Sequence, residues 1–371
     1  MPRLNFGAFL APHHPIGEHP MLQFRRDLDL VEHLDKLGYE EFWCGEHHSS
    51  GWEMIASPEM FLAAAAERSK RIKLATGVVS LPYHHPFNVA QRMVQLDHMT
   101  GGRAIFGSGP GALASDAHTL GIDPMLLRDR QDEAIGIIRR LFRGERVTAK
   151  SDWFELKDAA LQLLPLQEEM PCAVASQISP SGMTLAGKHG IGIISIGSLS
   201  EEGLNALPTQ WSFAEAAAAK HGQTVDRKNW RVLLSWHIAE TREQARAEAR
   251  EGLFRHHNEY ITATLQRPGA RAYRTPTKPW TRPPSSPAPS PPSARRTTSW
   301  SGSSRFSTSP AGSGRSSASS TIGPTRRTRC AAGTWWRATW CRRSMAISPV
   351  CARLANSSPT TASISTALAR P

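Results

Sequence analysis

Three of the four pairs of adjacent histidines follow predicted strands, where they could do chemistry, and one of the three directly follows a carboxylate. These three pairs are His13 and His14, His47 and His48, and His84 and His85. Glu46 precedes the second pair. An imidazole titrates near neutral pH, so a histidine oriented by a carboxylate can move protons during a reaction. We predict Glu46 and His47 as catalytic residues, with Glu46 orienting the imidazole.

The same histidines could be considered as metal ligands. Adjacent residues on a strand point to opposite faces, so one pair rarely supplies two ligands to a single ion. Carboxylates are also few in these segments, Glu46 being the main one. We therefore expect no metal site, and we expect the other four histidines to cap helices or line a cavity: His13, His14, His84 and His85.

Two segments rich in Gly and Ser have the composition of phosphate-binding loops. Residues 107–111 read Gly-Ser-Gly-Pro-Gly, and a serine cluster opens a predicted helix near residue 181. Small residues let backbone N–H groups approach an anion, and a helix N-terminus favours negative charge. Alternatively, the serines only cap that helix. Together, the loop over 107–111 and the cluster of Ser176, Ser179 and Ser181 predict a phosphate-bearing cofactor.

Short apolar runs alternate with amphipathic helical patterns through residues 1–260, which is typical of repeated β/α units around a parallel sheet. Strands are predicted over 4–10, 41–44, 72–79, 104–107, 171–175, 193–196 and 232–238. Helices are predicted over 24–37, from residue 58, and over 86–100, 126–142, 181–189 and 242–255. Seven units predict a (β/α)8 TIM barrel, with active groups at the carboxyl ends of its strands. No eighth strand is recognisable where the barrel should close.

Charge divides the chain near residue 273. Residues 274–371 carry one Lys and 14 Arg with no Asp or Glu, whereas residues 1–273 hold 29 basic and 32 acidic residues. The slightly acidic first part suits an enzyme and gives no reason to expect a nucleic-acid partner. The Ser-, Thr-, Arg-, Ala- and Pro-rich remainder cannot bury enough apolar surface to offset the entropy of ordering. We predict a barrel over 1–273 and a disordered tail over 274–371 that replaces the last β/α unit.

Two origins of the tail remain open. A basic arm could bind nucleic acid or anionic lipid. Translation of a GC-rich gene in a shifted frame would give the same composition, and it accounts better for the five tryptophans scattered through the segment. On that second interpretation, the chain as written could be inactive.

Targeting and redox signals are sparse. Five cysteines show neither metal-ligand spacing nor a disulfide framework. No apolar stretch of about 18 residues could span a membrane, and no signal peptide is visible. The sequence therefore predicts a cytoplasmic protein without a membrane partner.

Four segments together resemble the bacterial luciferase-like family of flavin-dependent monooxygenases. They are EHH at 46–48, TGVVSLPYHHP at 76–86, LDHMTGGRAIFGSGPG at 96–111 and SQISPSGMTLAGKHG at 176–190. The resemblance covers about residues 4–265. GAFLAPHHPIGEHP and EFWCGEHHSSGWE are most similar to the limonene 1,2-monooxygenase group.

The resemblance implies a TIM barrel that binds reduced flavin, FAD or FMN, at its mouth. One oxygen atom of O2 would pass to a small apolar substrate, with the 1,2-epoxidation of limonene as the candidate reaction. NADH would supply the electrons through a flavin reductase, since no dinucleotide G-x-G-x-x-G motif follows the first strand. A deazaflavin-dependent oxidoreductase is the alternative on the same fold, and a homo-oligomer is possible.

The family's functional residues carry over by position. His47 matches the catalytic histidine beside the flavin ring. Gly77 and Val78 match a strand-end peptide, cis in some members, that backs the ring. Ser108 and Gly109 fall on the flavin-side loop after the fourth strand, and the serines from 176 to 181 fall on the phosphate-binding segment.

Overall fold

Eight parallel strands form a closed barrel in the computed structural model, which describes residues 4–11, 13–199, 201–266, 293–294 and 315–319. The strands are β1 (Phe6–Leu10), β2 (Glu41–Cys44), β3 (Lys73–Thr76), β4 (Ala104–Gly109), β5 (Cys172–Ser176), β6 (Gly192–Ser195), β7 (Trp230–Ser235) and β8 (Arg315–Ser319). Each pairs with its neighbours in chain order, and β8 lies between β7 and β1. The fold is the predicted α/β TIM barrel.

The closing strand differs from the sequence prediction. β8 pairs in parallel with β1, with Phe6 opposite Ser316, and with β7, with Arg231 opposite Arg315. The sequence showed no recognisable eighth strand, and the structure places one at Arg315–Ser319, within the tail. Strands on either side of a missing unit present rows of backbone N–H and C=O groups, and an extended segment of almost any sequence can pair with them.

Most of the remaining tail lies outside the described residues, and so does the prediction that it is disordered. Ser293–Ala294 is the other described piece, and it pairs in parallel with His237–Ile238 just beyond β7. The backbone of two short tail segments thus adds to the sheets of the barrel region.

The helices pack around the barrel in the order expected for β/α units. They are α1 (Pro20–Leu37), α2 (Pro58–Arg68), α3 (Pro86–Thr100), α4 (Ala114–Thr119), α5 (Leu127–Phe142), α6 (Ser181–His189), α7 (Glu201–Lys220) and α8 (Arg242–Arg255). The sequence did not predict α7, because Pro208 inside it is a helix-breaking signal. Among the described residues, no helix has the length and apolarity needed to cross a bilayer.

The barrel interior is packed with one buried apolar side chain from each of the first seven strands. These residues are Phe9, Trp43, Ala75, Ile105, Ala173, Ile194 and Leu233. A second and larger core lies between the strands and the surrounding helices. Successive residues along a strand point alternately into the barrel interior and toward the helices, so each strand contributes to both cores. The interior is filled by side chains, and the site is expected at the carboxyl ends of the strands.

A buried ion pair crosses the opposite end of the barrel. Glu41, the first residue of β2, accepts hydrogen bonds from the Arg231 guanidinium at 2.6 and 2.9 Å. Trp43 donates its indole N–H to the same carboxylate at 2.9 Å, and the guanidinium lies 4.9 Å from the Trp43 ring centroid. The pair therefore links β2 to β7, two strands that are separated in the barrel by β1 and β8.

Candidate functional site

The segments selected from the sequence meet at the carboxyl ends of β1 to β5. His47 follows β2, the Gly77–Val78 peptide follows β3, and the loop through Gly109 ends β4. The serines from 176 to 181 run from the end of β5 into α6. The closed barrel gathers these chain segments at one rim, where TIM-barrel enzymes carry their active groups.

His47 lies between two carboxylates, and neither is Glu46. Its Nδ1 is 3.0 Å from Oδ2 of Asp116, and its Nε2 is 3.5 Å from Oε1 of Glu53. The expectation that Glu46 orients His47 is therefore wrong. Neighbouring residues on an extended chain point in opposite directions, so the carboxylate adjacent in sequence turns away from this imidazole.

The two carboxylates determine the charge of His47. Burial favours the neutral ring, but the hydrogen bond to Asp116 and the charges of Glu53 and Asp116 outweigh it and raise the pKa of His47 above its ordinary value. The imidazole therefore retains a proton more readily than a free histidine does. Such a group can donate a proton at neutral pH and recover it afterwards.

Glu46 organises a separate cluster with His48 and His84. Its Oε1 accepts from Nε2 of His48 at 2.7 Å and from Nε2 of His84 at 2.8 Å, while Oε2 accepts from the backbone N–H of Ser80 at 3.0 Å. One carboxylate and two imidazoles within 4.8 Å of one another have the composition of a metal site. These hydrogen bonds link the segments that follow β2 and β3.

Glu46→Gln should weaken the pH dependence of the free energy of unfolding in the acidic range. Burial opposes ionisation, but hydrogen bonds from His48 and His84 lower the pKa of Glu46 from 4.5 to about 2. A depressed folded-state pKa contributes stability above the ordinary value, and that stability is lost as the pH falls toward the folded value. We expect the variant to lose this dependence between pH 4.5 and about 2 in denaturant titrations. The exposed Glu40→Gln is the control, and a wild-type slope in Glu46→Gln would contradict the assignment.

The peptide between Gly77 and Val78 is cis, although Val78 is not a proline. The two-residue strand Val79–Ser80 that follows it pairs with Ser108 and Gly109 of β4. A Cβ on Gly109 would lie 2.5 Å from Cγ2 of Val78, so only glycine permits this contact. The structure thus brings Gly77, Val78, Ser108 and Gly109 together, although the Ser108 hydroxyl donates to Ala173 O at 3.4 Å.

The serine cluster lies where β5 leads into α6, but its members differ in exposure. Ser176 is fully buried at the end of β5. Ser179 and Ser181 are closer to solvent, with their hydroxyls 2.9 Å apart. The N-cap position of α6 is Pro180, and no side chain caps the helix. Among the described residues no side chain caps the first turn, so the alternative that these serines only cap α6 is wrong.

A segment after α8 packs against the same rim. The π-helical residues His256–Thr264 place Tyr260, which is 5% exposed, so that its hydroxyl donates to Oε2 of Glu53. Thr264 accepts from the indole N–H of Trp52 at 3.0 Å. The ring of His13 lies edge-on to Tyr260, and burial together with nearby histidines lowers the pKa of His13 to about 3. This segment therefore contacts one oxygen of Glu53 while His47 lies nearest the other.

Sequence reasoning missed Asp116, Glu53 and Tyr260. Asp116 lies in the short helix α4, beyond the Gly/Ser loop, and Glu53 lies in an irregular segment before α2. Neither residue lies at the carboxyl end of a strand, which is where the sequence analysis placed the active groups. The available signal was chemical: both are acidic residues, at most 6% exposed, in segments that follow barrel strands.

A closed β/α barrel with acid–base groups and small residues at the carboxyl ends of its strands defines a TIM-barrel enzyme. The chain belongs to the luciferase-like monooxygenase family, whose model matches residues 4–286. This confirms the resemblance inferred from the sequence.

Two relatives are similar over most of the barrel. The chain is 54% identical over 264 residues to 4-hydroxyprotoasukamycin monooxygenase of Streptomyces nodosus subsp. asukaensis, covering 70% of this chain and 71% of the relative. It is 55% identical over 251 residues to limonene 1,2-monooxygenase of Rhodococcus erythropolis, covering 68% and 65%. The aligned part thus spans just under two thirds of the second relative.

A solved structure has the same fold and carries a flavin. The oxygenating constituent of 3,6-diketocamphane monooxygenase from Pseudomonas putida, in complex with FMN, superimposes with a TM-score of 0.62 at 25% identity. The match covers 70% of this chain and 75% of that one.

Proposed function

We propose that this protein is a flavin-dependent monooxygenase that transfers one oxygen atom of O2 to a small apolar substrate. The observation that carries the proposal is His47, held at the barrel rim between Asp116 and Glu53 and following the strand next to the one that leads into the cis peptide. Family membership supports the reaction class.

The residues at the rim fit a flavin. Val78 packed on Gly109 offers a small apolar surface suited to one face of a planar ring. Ala175 lies beside them, with its Cβ 3.8 Å from the position of a Gly109 Cβ. The uncapped first turn of α6, next to Ser179 and Ser181, offers N–H donors and a positive helix end to the phosphate. We therefore assign Gly77, Val78, Ser108, Gly109, Ser176, Ser179 and Ser181 to flavin binding.

A bound reduced flavin would supply the electrons that activate O2. His47, with its raised pKa, would hold a proton for the oxygen atom that leaves as water. Tyr260 and Trp52 would exclude solvent from the Glu53 side of the rim. We assign Glu46 a supporting part, because its hydrogen bonds fix the backbone around Ser80 at the end of the cis segment.

We infer that FMN is the flavin, since the solved relative holds FMN. NADH would reduce it on a separate flavin reductase that delivers reduced FMN by diffusion. A cyclic monoterpene alkene is the proposed substrate, because one similar relative is named limonene 1,2-monooxygenase. The test is formation of limonene 1,2-epoxide by the full chain with NADH, FMN, a general flavin reductase and O2. Absence of epoxide above the enzyme-free control would rule out limonene.

Ser181→Asp should weaken the binding of FMN without affecting riboflavin, which lacks the phosphate. A carboxylate about 4 Å from a phosphate costs roughly 1–4 kcal/mol per charge pair near a protein surface, so we expect at least about tenfold weaker FMN binding. Fluorescence quenching measures both affinities. Thr241→Asp, at the N-cap of α8, adds the same charge to another helix start and should leave both unchanged. Equal loss of FMN and riboflavin affinity would count against a phosphate site at α6.

A further inference from the structure

Asp116 accepts hydrogen bonds from three successive residues in the segment that follows β2. Oδ2 accepts from Nδ1 of His47 at 3.0 Å, and Oδ1 accepts from the backbone N–H of His48 at 3.1 Å. The hydroxyl of Ser49 also donates to Oδ1. Three successive residues therefore converge on one carboxylate, which is 1% exposed.

The contact to Nδ1 determines what the rest of the His47 ring can do. A carboxylate accepts hydrogen bonds and has no proton to give when it is ionised, so Nδ1 of His47 must carry the hydrogen. In the neutral ring, Nε2 is then the unprotonated nitrogen, and Nε2 is the atom that lies 3.5 Å from Oε1 of Glu53. The contacts to His48 and Ser49 fix the position of the carboxylate itself.

We propose that Asp116 is a positioning residue for the oxygenation reaction, holding His47 in the Nδ1–H form with Nε2 presented to the barrel mouth. Asp116 acts through His47 and does not itself contact the substrate. This inference rests on the proposed function, in which His47 handles the proton. A carboxylate that fixes the tautomer of a catalytic histidine contributes to turnover more than to substrate binding.

A purely structural role for Asp116 makes different predictions. The bonds to His48 and Ser49 could serve only to attach α4 to the end of β2. Loss of that attachment would lower stability and loosen binding of every ligand, and it would leave the tautomer of a solvated His47 free to vary. The two roles are therefore separable by measuring the ring directly.

The first measurement needs no variant. Long-range 1H–15N spectra of the full chain labelled with 15N-histidine report which ring nitrogen carries hydrogen, and the His47 signals are assigned by their absence in His47→Gln. Above the pH at which the ring loses its second proton, we expect Nδ1 protonated and Nε2 free. The opposite tautomer in the wild-type protein would overturn the proposal.

The second measurement compares Asp116→Asn with a matched control. Asp132→Asn makes the same change in another histidine-bound carboxylate, which accepts from His189 at 2.7 Å between α5 and α6, away from the rim. We expect Asp116→Asn to lower kcat for limonene about 100-fold or more, with KM within about twofold, and to alter the His47 spectrum. Ser49→Ala, which removes one donor and keeps the His47 contact, should stay within about fivefold of wild-type kcat.

The outcomes separate the inference from the function on which it rests. A folded Asp116→Asn protein with wild-type kcat and an unchanged His47 spectrum would contradict the positioning role. If the wild-type protein makes no epoxide, the limonene assignment fails, and the tautomer measurement still decides whether Asp116 sets the state of His47. If Asp116→Asn does not fold, the wild-type spectrum alone decides.

Discussion

His47→Ala should lower product formation by about 100-fold or more, because a positioned acid–base group typically contributes a factor of 10² to 10⁴ to a rate. The imidazole is held on both ring nitrogens by Asp116 and Glu53, so its removal leaves two buried carboxylates without their shared partner. We expect the loss to appear in kcat, with NADH oxidation by the reductase continuing and becoming uncoupled from epoxide formation. Gas chromatography of the epoxide against NADH consumed measures both.

His98→Gln is the matched control, since His98 lies in the last turn of α3 and contacts the backbone O of Leu164 at 2.9 Å. His98→Gln should form as much epoxide per NADH consumed as the wild-type protein does. His47→Ala must also retain the FMN affinity of the wild type within about threefold, so that the lost turnover reports chemistry and not cofactor loss. Unchanged epoxide yield per NADH in a folded His47→Ala protein would remove His47 from the mechanism.

Glu41→Gln should be among the most destabilising single substitutions in the barrel. It would leave the Arg231 guanidinium buried without its counter-charge, and breaking a buried ion pair in this way costs about 3–5 kcal/mol. Arg231 is 3% exposed, and its other contacts among the described residues include the Trp43 ring and the carbonyl of Asn229. Urea unfolding followed by tryptophan fluorescence measures the free energy of unfolding.

Two comparisons isolate the ion pair. Glu145→Gln removes a carboxylate from an exposed cluster with Arg140 and Arg143 and should change the free energy of unfolding little. The double variant Glu41→Met/Arg231→Met should recover most of the lost stability, because it removes both charges together. If Glu41→Gln is as stable as the wild type, the pair does not join β2 to β7 as described.

The barrel itself could be predicted from sequence because its signals are local. Apolar runs such as Glu41–Cys44 and the Pro-started helices at Pro58 and Pro86 match the structure closely. The histidine at the rim was also predictable, because the residue after a barrel strand has a known position. The partners of that histidine were not predictable, since Asp116 reaches it across 69 residues of sequence.

The tail shows the opposite limit. Nothing in the composition of Arg315–Ser319 predicts a strand, and the pairing with β1 and β7 depends on backbone groups common to every residue type. The division into a barrel over 1–273 and a separate tail over 274–371 remains a proposal. The family match extends to residue 286, which places part of the proposed tail within the family's length.

Isotope labelling of the oxygen atom tests the central claim most directly. The full chain, supplied with NADH, FMN, a flavin reductase and limonene under 18O2, should give limonene epoxide heavier by two mass units, with the second labelled atom in water. A product labelled from H218O, or limonene oxidised by hydride transfer without oxygen uptake as a deazaflavin enzyme would do, contradicts a flavin-dependent monooxygenase. Bound reduced FMN and limonene with no oxygen transfer would contradict it as well.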